Sequence, residues 1–235
     1  ETPGCRQDGV LRAATTNTAP WQSPEKSSST VYALRRDGGT LKQIGSVGGL
    51  GKGERIYAVR FVGPVGFVVT YRQVDPLYTI NLCDPRNPKI VGELKIPGYS
   101  AYLHPVSSSR LIGVGQDATE QGRVTGTQIS LFDVGTLADP RRLDQLKIPR
   151  SHSEAEHDPH AFLYWPATKL LVVPVNQEAL LVRVEDSKLT ELSRIDHDGA
   201  PIRRSLVIGD TLWTISHEAA MASTLDGTQL ALLKL

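Results

Sequence analysis

The chain is poor in the residues that announce most specialised protein classes. It has two cysteines, one methionine and few aromatic side chains, 6% of its 235 residues. Two cysteines cannot build a disulfide framework or a multi-cysteine metal site. No apolar run reaches the roughly 18 residues that a membrane-spanning helix needs. Neither sign of charge prevails. Lys and Arg total 26 against 25 for Asp and Glu, a formal net charge of +1, and the basic stripe that marks a nucleic-acid binder is missing. No apolar pattern at i, i+3, i+4 and i+7 persists over several turns, so no helix is expected.

What is present is repetition. The segment Asn87-Pro88-Lys89-Ile90-Val91-Gly92-Glu93-Leu94-Lys95-Ile96-Pro97 returns as Asp139-Pro140-Arg141-Arg142-Leu143-Asp144-Gln145-Leu146-Lys147-Ile148-Pro149. Short runs rich in Val, Ile, Leu, Tyr and Phe alternate with clusters of Gly, Pro, Asp, Asn and Ser, the pattern of strands and turns. Four such runs recur in order four times from Tyr57 onward. Phe67, Leu111, Leu170 and Leu212 hold equivalent places in the second runs, about 44, 59 and 42 residues apart. That spacing is close to the ~40–50 residues of one four-stranded propeller blade. The long interval contains polar additions at 116–127 and 150–159, which loops accept at little cost.

The expected fold is therefore all-β, a β-propeller of four-stranded antiparallel blades in a single domain over residues 1–235. Residues 48–96, 97–148, 149–195 and 196–235 make four full blades, and 1–47 a partial one. In that partial blade Val10–Thr16, Val31–Leu34 and Leu41–Val47 read as second, third and fourth strands, and no convincing first strand precedes them. The chain reads as the C-terminal part of a larger propeller, or as a ring closed in another way near its N-terminus. Thr15–Thr30 reads as a mobile polar loop.

In a propeller the loops between second and third strands share one face with the loops that join one blade to the next. Here those loops are 71–76, 116–127, 176–178 and 217–220, with 48–55, 97–100, 150–160 and 196–203 between blades. Five of the six histidines fall in them: His152, His157, His160, His197 and His217. Loops on a rigid scaffold are where binding residues concentrate, although His, Asp and Gln also favour loops for their own sake. Two groups stand out as ligand-binding candidates. Gln73 and Asp75 occupy the loop corresponding to that of Gln116 and Asp117 in the next blade, and the ring should bring them together; turn and cap roles would use the same residues. The second group is His157, Asp158 and His160, with His217 from the adjacent blade.

The run Ser151–His160 holds three histidines and three carboxylates, yet it matches no metal motif, and a polar surface insertion accounts for it as well. No cofactor is expected. If a divalent metal is held, His157, Asp158 and His160 are its ligands, with His217 or Asp117 completing the set. There is no Gly-x-Ser-x-Gly elbow and no His-Glu-x-x-His helix. The leading functional expectation is a binding or scaffolding module for a protein or envelope component; a hydrolase or lyase using the same face near the axis is the alternative. Trp165 and Trp213 lie in strand runs and should pack between blades, whereas Trp21 falls in a loop and should be exposed. Cys83 reads either as a small packed residue or as the partner of Cys5, a bridge that would tie the partial blade to its neighbour.

Gly53-Glu54-Arg55-Ile56-Tyr57-Ala58-Val59-Arg60-Phe61 with Tyr71-Arg72-Gln73-Val74-Asp75-Pro76-Leu77-Tyr78 resembles the secreted β-propeller domain proteins of bacteria and archaea. So do Glu93-Leu94-Lys95-Ile96-Pro97-Gly98-Tyr99-Ser100 and Gly113-Val114-Gly115-Gln116-Asp117-Ala118. The resemblance runs from about Val10 to the end. It implies a secreted or envelope-associated propeller with no established activity, in a family of longer chains. One departure is plain: where that family carries an Asp-His-Lys-Ala-Phe-like run, this chain has Asp158-Pro159-His160-Ala161-Phe162, without the lysine.

Overall fold

A computed structural model describes residues 5, 9–18, 21–71 and 74–235, the side chains of residues 74 and 75 excepted. Nineteen strands are described, in five antiparallel sheets. The first sheet has three strands, β1 (Val10–Thr16), β2 (Ser29–Asp37) and β3 (Thr40–Leu50). Four sheets of four strands follow. The second holds β4 (Arg55–Val62), β5 (Val65–Tyr71), β6 (Val74–Asn81) and β7 (Lys89–Pro97). The third holds β8 (Tyr99–Pro105), β9 (Arg110–Ala118), β10 (Val124–Asp133) and β11 (Arg141–Pro149). The fourth holds β12 (Leu163–Trp165), β13 (Leu170–Val175), β14 (Glu178–Val184) and β15 (Leu189–Ile195). The fifth holds β16 (Arg204–Ile208), β17 (Thr211–Ile215), β18 (Ala219–Ser223) and β19 (Gln229–Lys234). No strand passes from one sheet to another, and the strands within each sheet pair in sequence order. Helical structure among the described residues is limited to three 3₁₀ turns, at Pro24–Lys26, Glu154–Glu156 and Pro159–Ala161.

The two-residue period of a strand explains how the sheets stack. In β13, Leu171, Val173 and Val175 face the third sheet and join Ile112, Val114, Ile129 and Leu131. Their neighbours Leu170 and Val172 point the other way, onto Leu212 and Met221 of the fifth sheet. A third cluster joins Phe67, Val69 and Leu77 to Leu103, Leu111 and Phe132, between the second and third sheets. A fourth joins Val31 and Leu50 to Val68, Ile80 and Leu82, between the first and second. Four apolar seams thus bind five sheets in chain order. Trp165 packs against the seam between the fourth and fifth sheets, as expected of a strand tryptophan.

In the third and fourth sheets the second strands are the most buried, since they have neighbours on both faces and both edges: every residue of β13 is buried, and all but the first of β9. Passage from the second sheet to the third is tight. A single residue, Gly98, separates β7 from β8; its φ of +83° suits glycine, and a Cβ there would fall 2.3 Å from the Gln116 carbonyl oxygen.

An aromatic cluster lies where β8 meets the start of the fourth sheet. Tyr102 and His104 of β8 meet Phe162 at ring separations of 4.8 and 4.7 Å, and His104 meets Tyr164 at 5.6 Å. At the other end of the sheets, Cys5 and Cys83 form a disulfide with a Cα separation of 4.6 Å. It ties the segment before β1 to the loop after β6, so the bridge reading of the two cysteines is the correct one. The Thr15–Thr30 stretch is held more closely than its composition suggests. Its base is closed by Asn17 N–H to the Ser28 carbonyl at 3.1 Å, and Ser27 Oγ donates to the Glu54 carbonyl at 2.6 Å.

Two measurements follow from these features. Closing a 78-residue separation should be worth about 2–4 kcal/mol, so Cys83→Ser should lower the unfolding free energy from urea titration by that amount, and reduction of the parent chain should reproduce the loss. Burial, and secondarily the charge of Arg60, push the His104 imidazole down to about 4. The unfolded chain takes up that proton near 6.5. Between the two values the unfolded state binds more protons, so the contribution of His104 is complete above pH 6.5 and is lost as pH falls towards 4. A His104→Phe variant should therefore lose less stability than the parent between pH 7 and pH 4.5 in urea titrations.

Candidate functional site

The face that carries the loops after β1, β5, β9, β13 and β17 also carries the links between sheets. The inter-sheet link 150–162 is its largest feature and is built by local capping. Ser153 caps the turn Glu154–Glu156 by accepting from Ala155 N–H, while Glu156 returns a carboxylate oxygen to Ser153 N–H at 2.9 Å. Asp158 caps the turn Pro159–Ala161 through His160 N–H at 2.9 Å. Ala155 and Ala161 are buried beneath these turns. Ser153 Oγ donates to the Pro174 carbonyl at 2.7 Å, which fixes the link to β13.

The three carboxylates of this link are all spoken for. Glu154 pairs with Arg203 at 3.0 Å, Glu156 accepts from Gln116 Nε2, and Asp158 pairs with Arg204 and with the His160 ring. The hydrogen bonds from the His160 backbone and ring, with the Arg204 charge, hold the Asp158 carboxyl below its ordinary value. His152, His157 and His160 remain exposed. Among the described residues no group of three or more His, Cys, Asp or Glu is placed to hold a metal ion.

Beside this link lies a pocket of about 610 Å³. His152 and Glu154 form one wall, Gln177 and Glu178 the second, and Asp196, Ile202 and Arg203 the third. Backbone bonds hold the walls together: Asn176 N–H to the His152 carbonyl at 2.9 Å and Ile202 N–H to the Gln177 carbonyl at 3.1 Å. Asn176 turns the chain with a φ of +56°, a conformation Asn accepts more readily than most residues. The polar walls suit a ligand rich in hydrogen-bonding groups.

On the same face, across the first three sheets, a chain of stacked rings runs outward. Tyr71 and Tyr99 lie 4.6 Å apart, Tyr99 and Tyr57 4.4 Å apart. The Arg55 guanidinium sits 4.6 Å above Tyr57 and 5.5 Å from the Trp21 ring. Trp21 itself is 72% exposed, in agreement with its place in a loop. Burial, and then the Glu156 charge, push the Tyr99 phenol up to about 12, so it stays a neutral donor.

The sequence candidates fall into three groups. Gln116 and Asp117 are strand residues, because β9 continues through Ala118 and leaves a loop of only 119–123. They are nearly buried and structurally employed: Asp117 accepts from Lys147 at 2.8 Å and Thr125 at 2.7 Å. Burial alone would raise its carboxyl, but those bonds and the Lys147 charge outweigh it and hold it low. Gln73 lies outside the described residues, and of Asp75 only the backbone is described, in β6 opposite Ile96; the expected meeting of these two with Gln116 and Asp117 therefore also lies outside. His157, Asp158, His160 and His217 stay at the loop face, with His217 paired to Glu218 at 3.3 Å, but they do not converge on one point.

His197, expected to face a ligand, is 5% exposed. Its two ring nitrogens are taken by Ser216 Oγ at 3.0 Å and Thr214 Oγ1 at 2.9 Å, so no carboxylate completes a charge-assisted triad with it. Burial pushes its imidazole below the ordinary value. The ring stack and the polar pocket are what the candidate list omitted. The pocket loops were visible as loops, and Asn176, whose side chain tolerates the left-handed turn, was a usable signal. The stack joins residues 21, 55, 57, 71 and 99, which no local spacing brings together.

The comparisons agree with this architecture. Residues 6–227 match the model of the beta propeller domain family. Uncharacterized protein MJ1554 of Methanocaldococcus jannaschii is 41% identical over 209 residues, which cover 89% of this chain and 32% of that protein. An uncharacterized protein of Archaeoglobus fulgidus is 37% identical over 211 residues, 90% of this chain and 31% of that one. The chain thus spans about a third of the length of these relatives. The crystal structure of Chaetomium thermophilum Sqt1 superimposes over 100% of this chain and 60% of that chain, with a TM-score of 0.62 at 12% identity. Saccharomyces cerevisiae Sqt1 does so over 88% and 58%, with a TM-score of 0.57 at 11% identity. Those identities speak for the fold alone. With its five stacked antiparallel sheets and a family match over nearly its whole length, the chain belongs to the beta propeller domain family.

Proposed function

We propose that this propeller is a binding module that engages a protein partner through its loop face, outside the cytoplasm. The observation that carries the reading is the exposed Trp21 ring beside the Arg55 guanidinium, which in turn lies over Tyr57. Tryptophan, tyrosine and arginine are the residues that dominate binding energy at protein interfaces. An indole this exposed costs solvation free energy that a partner's surface would recover. The pocket of His152, Gln177 and Asp196 adds polar selection on the same face. Its loops are cross-bonded, so little ordering entropy is lost when a partner docks.

The Cys5–Cys83 disulfide supports a location outside the cytoplasm, since such bonds persist in oxidising compartments. Intracellular proteins of hyperthermophilic archaea also use them, so location is tested directly, by fractionating native cells and probing for the chain.

Immobilised protein should capture a partner from envelope extract. Trp21→Ala and Arg55→Ala should each weaken that complex by roughly 30-fold, the mark of an interface hot spot. Lys188→Ala, at an exposed position of the opposite face, should leave it unchanged. Equal loss in all three variants, or in none, contradicts a loop-face partner.

A further inference from the structure

We propose that the opposite face, where the short hairpins lie, carries a second site that binds a small apolar carboxylic acid. A pocket of about 480 Å³ opens there between the second and third sheets. Its size is within the roughly 300–1,000 Å³ of small-molecule sites. It is an open cleft at the end of the seam, and the apolar residues beneath it have room above them for a ligand.

The composition of the pocket is graded from floor to mouth. Phe67, Leu111 and Val134 form the floor, each less than 5% exposed and part of the same apolar cluster. Val65 and Leu137 flank them as partly buried walls. The mouth is edged by turn residues, among them Gly63, Ser107 and Ser108, whose short side chains cannot reach across to close it. A floor of this kind favours an alkyl or aromatic tail and has no partner for the hydroxyls of a sugar.

Arg110 is the charged residue of the lining, and its guanidinium is held in place before any ligand arrives. It donates through Nε to the Asp186 carbonyl at 2.8 Å, and through Nη1 to the Ser109 carbonyl at 3.1 Å and to Asp133 at 2.9 Å. Among the described residues its hydrogen bonds run through Nε and Nη1, and its Nη2 hydrogens are spent on none of them. A guanidinium has five donors in a planar fork, so a carboxylate can be received without breaking the existing bonds. The hydroxyls of Ser107 and Ser108 add donors at the same rim. An apolar floor beside one fixed guanidinium and two serine hydroxyls selects an anionic head on an apolar tail. An amine would face the arginine, and an alcohol would lose the charge-assisted bond.

The test uses octanoate, octanol and octylamine against the whole chain, by calorimetry and thermal melting. Octanoate should bind and raise the melting temperature; octanol should bind about tenfold more weakly, the difference of one charge-assisted hydrogen bond, and octylamine should not bind. Arg110→Gln should bring octanoate down to the level of octanol. Leu137→Trp should fill the cleft and abolish the octanoate response, and Ser108→Trp, at an exposed turn, serves if Leu137→Trp fails to fold. Equal responses to the three ligands, no response to octanoate, or a response that survives both tryptophan variants overturns the proposal. None of these readouts depends on the loop face.

Discussion

The structure depends on one constraint: the second, third and fourth sheets are each apolar on both faces and must pack between neighbours. Strand β13 makes the point with Leu171, Val173 and Val175 on one side and Leu170 and Val172 on the other, all at most 2% exposed. A single four-stranded sheet would leave half of that surface in water, at roughly 1.5–3 kcal/mol for each large aliphatic side chain. Radial stacking removes the loss and also decides where chemistry can sit. With both faces of the inner sheets consumed by packing, their strand ends and loops are what remains free to meet a ligand. The two ends then diverge. One gathers the long links, the histidines and the ring stack; the other keeps short turns and an incompletely filled seam.

The same constraint explains why charged residues of the loop face are so heavily engaged. Links that pass from one sheet to the next must hold those sheets in register, and polar contacts do this where the apolar seam ends. The pairs Glu154–Arg203 and Asp158–Arg204 connect the link after β11 to the fifth sheet. Gln116 reaches from β9 to Glu156 in that link. Exposed pairs of this type contribute little stability one by one, but together they pin the walls of the pocket. The surface left for a partner is the residue of that work: His152, Gln177, Asp196 and the Trp21–Arg55–Tyr57 stack.

Strand order was legible in the sequence because period-2 apolar runs separated by turn residues leave few alternatives, and the recurrence of Asn87–Pro97 as 139–149 set their grouping. The three strands described for the first sheet were legible for the same reason. Strand ends were less legible. Gln116 and Asp117 are polar residues in a Gly-rich run, and composition alone places them in a loop; Asp117 is satisfied by Lys147, Thr125 and Gln145 once β10 and β11 are in register, and Gln116 by Glu156 of the following link. His197 deceived in a similar way, since Thr214 and Ser216 from β17 and its following turn satisfy it. The ring stack and the Arg110 pocket were invisible because their parts come from different sheets.

Hydrogen exchange resolved by segment measures the mutual support of the sheets most directly. If stability rests on two-sided burial, the slowest amides will lie in β9, β10, β13 and β14, which have neighbours on both faces, and β1, β3 and β19 will exchange orders of magnitude faster. Uniform protection across the five sheets, or slower exchange in β19 than in β13, would contradict the account.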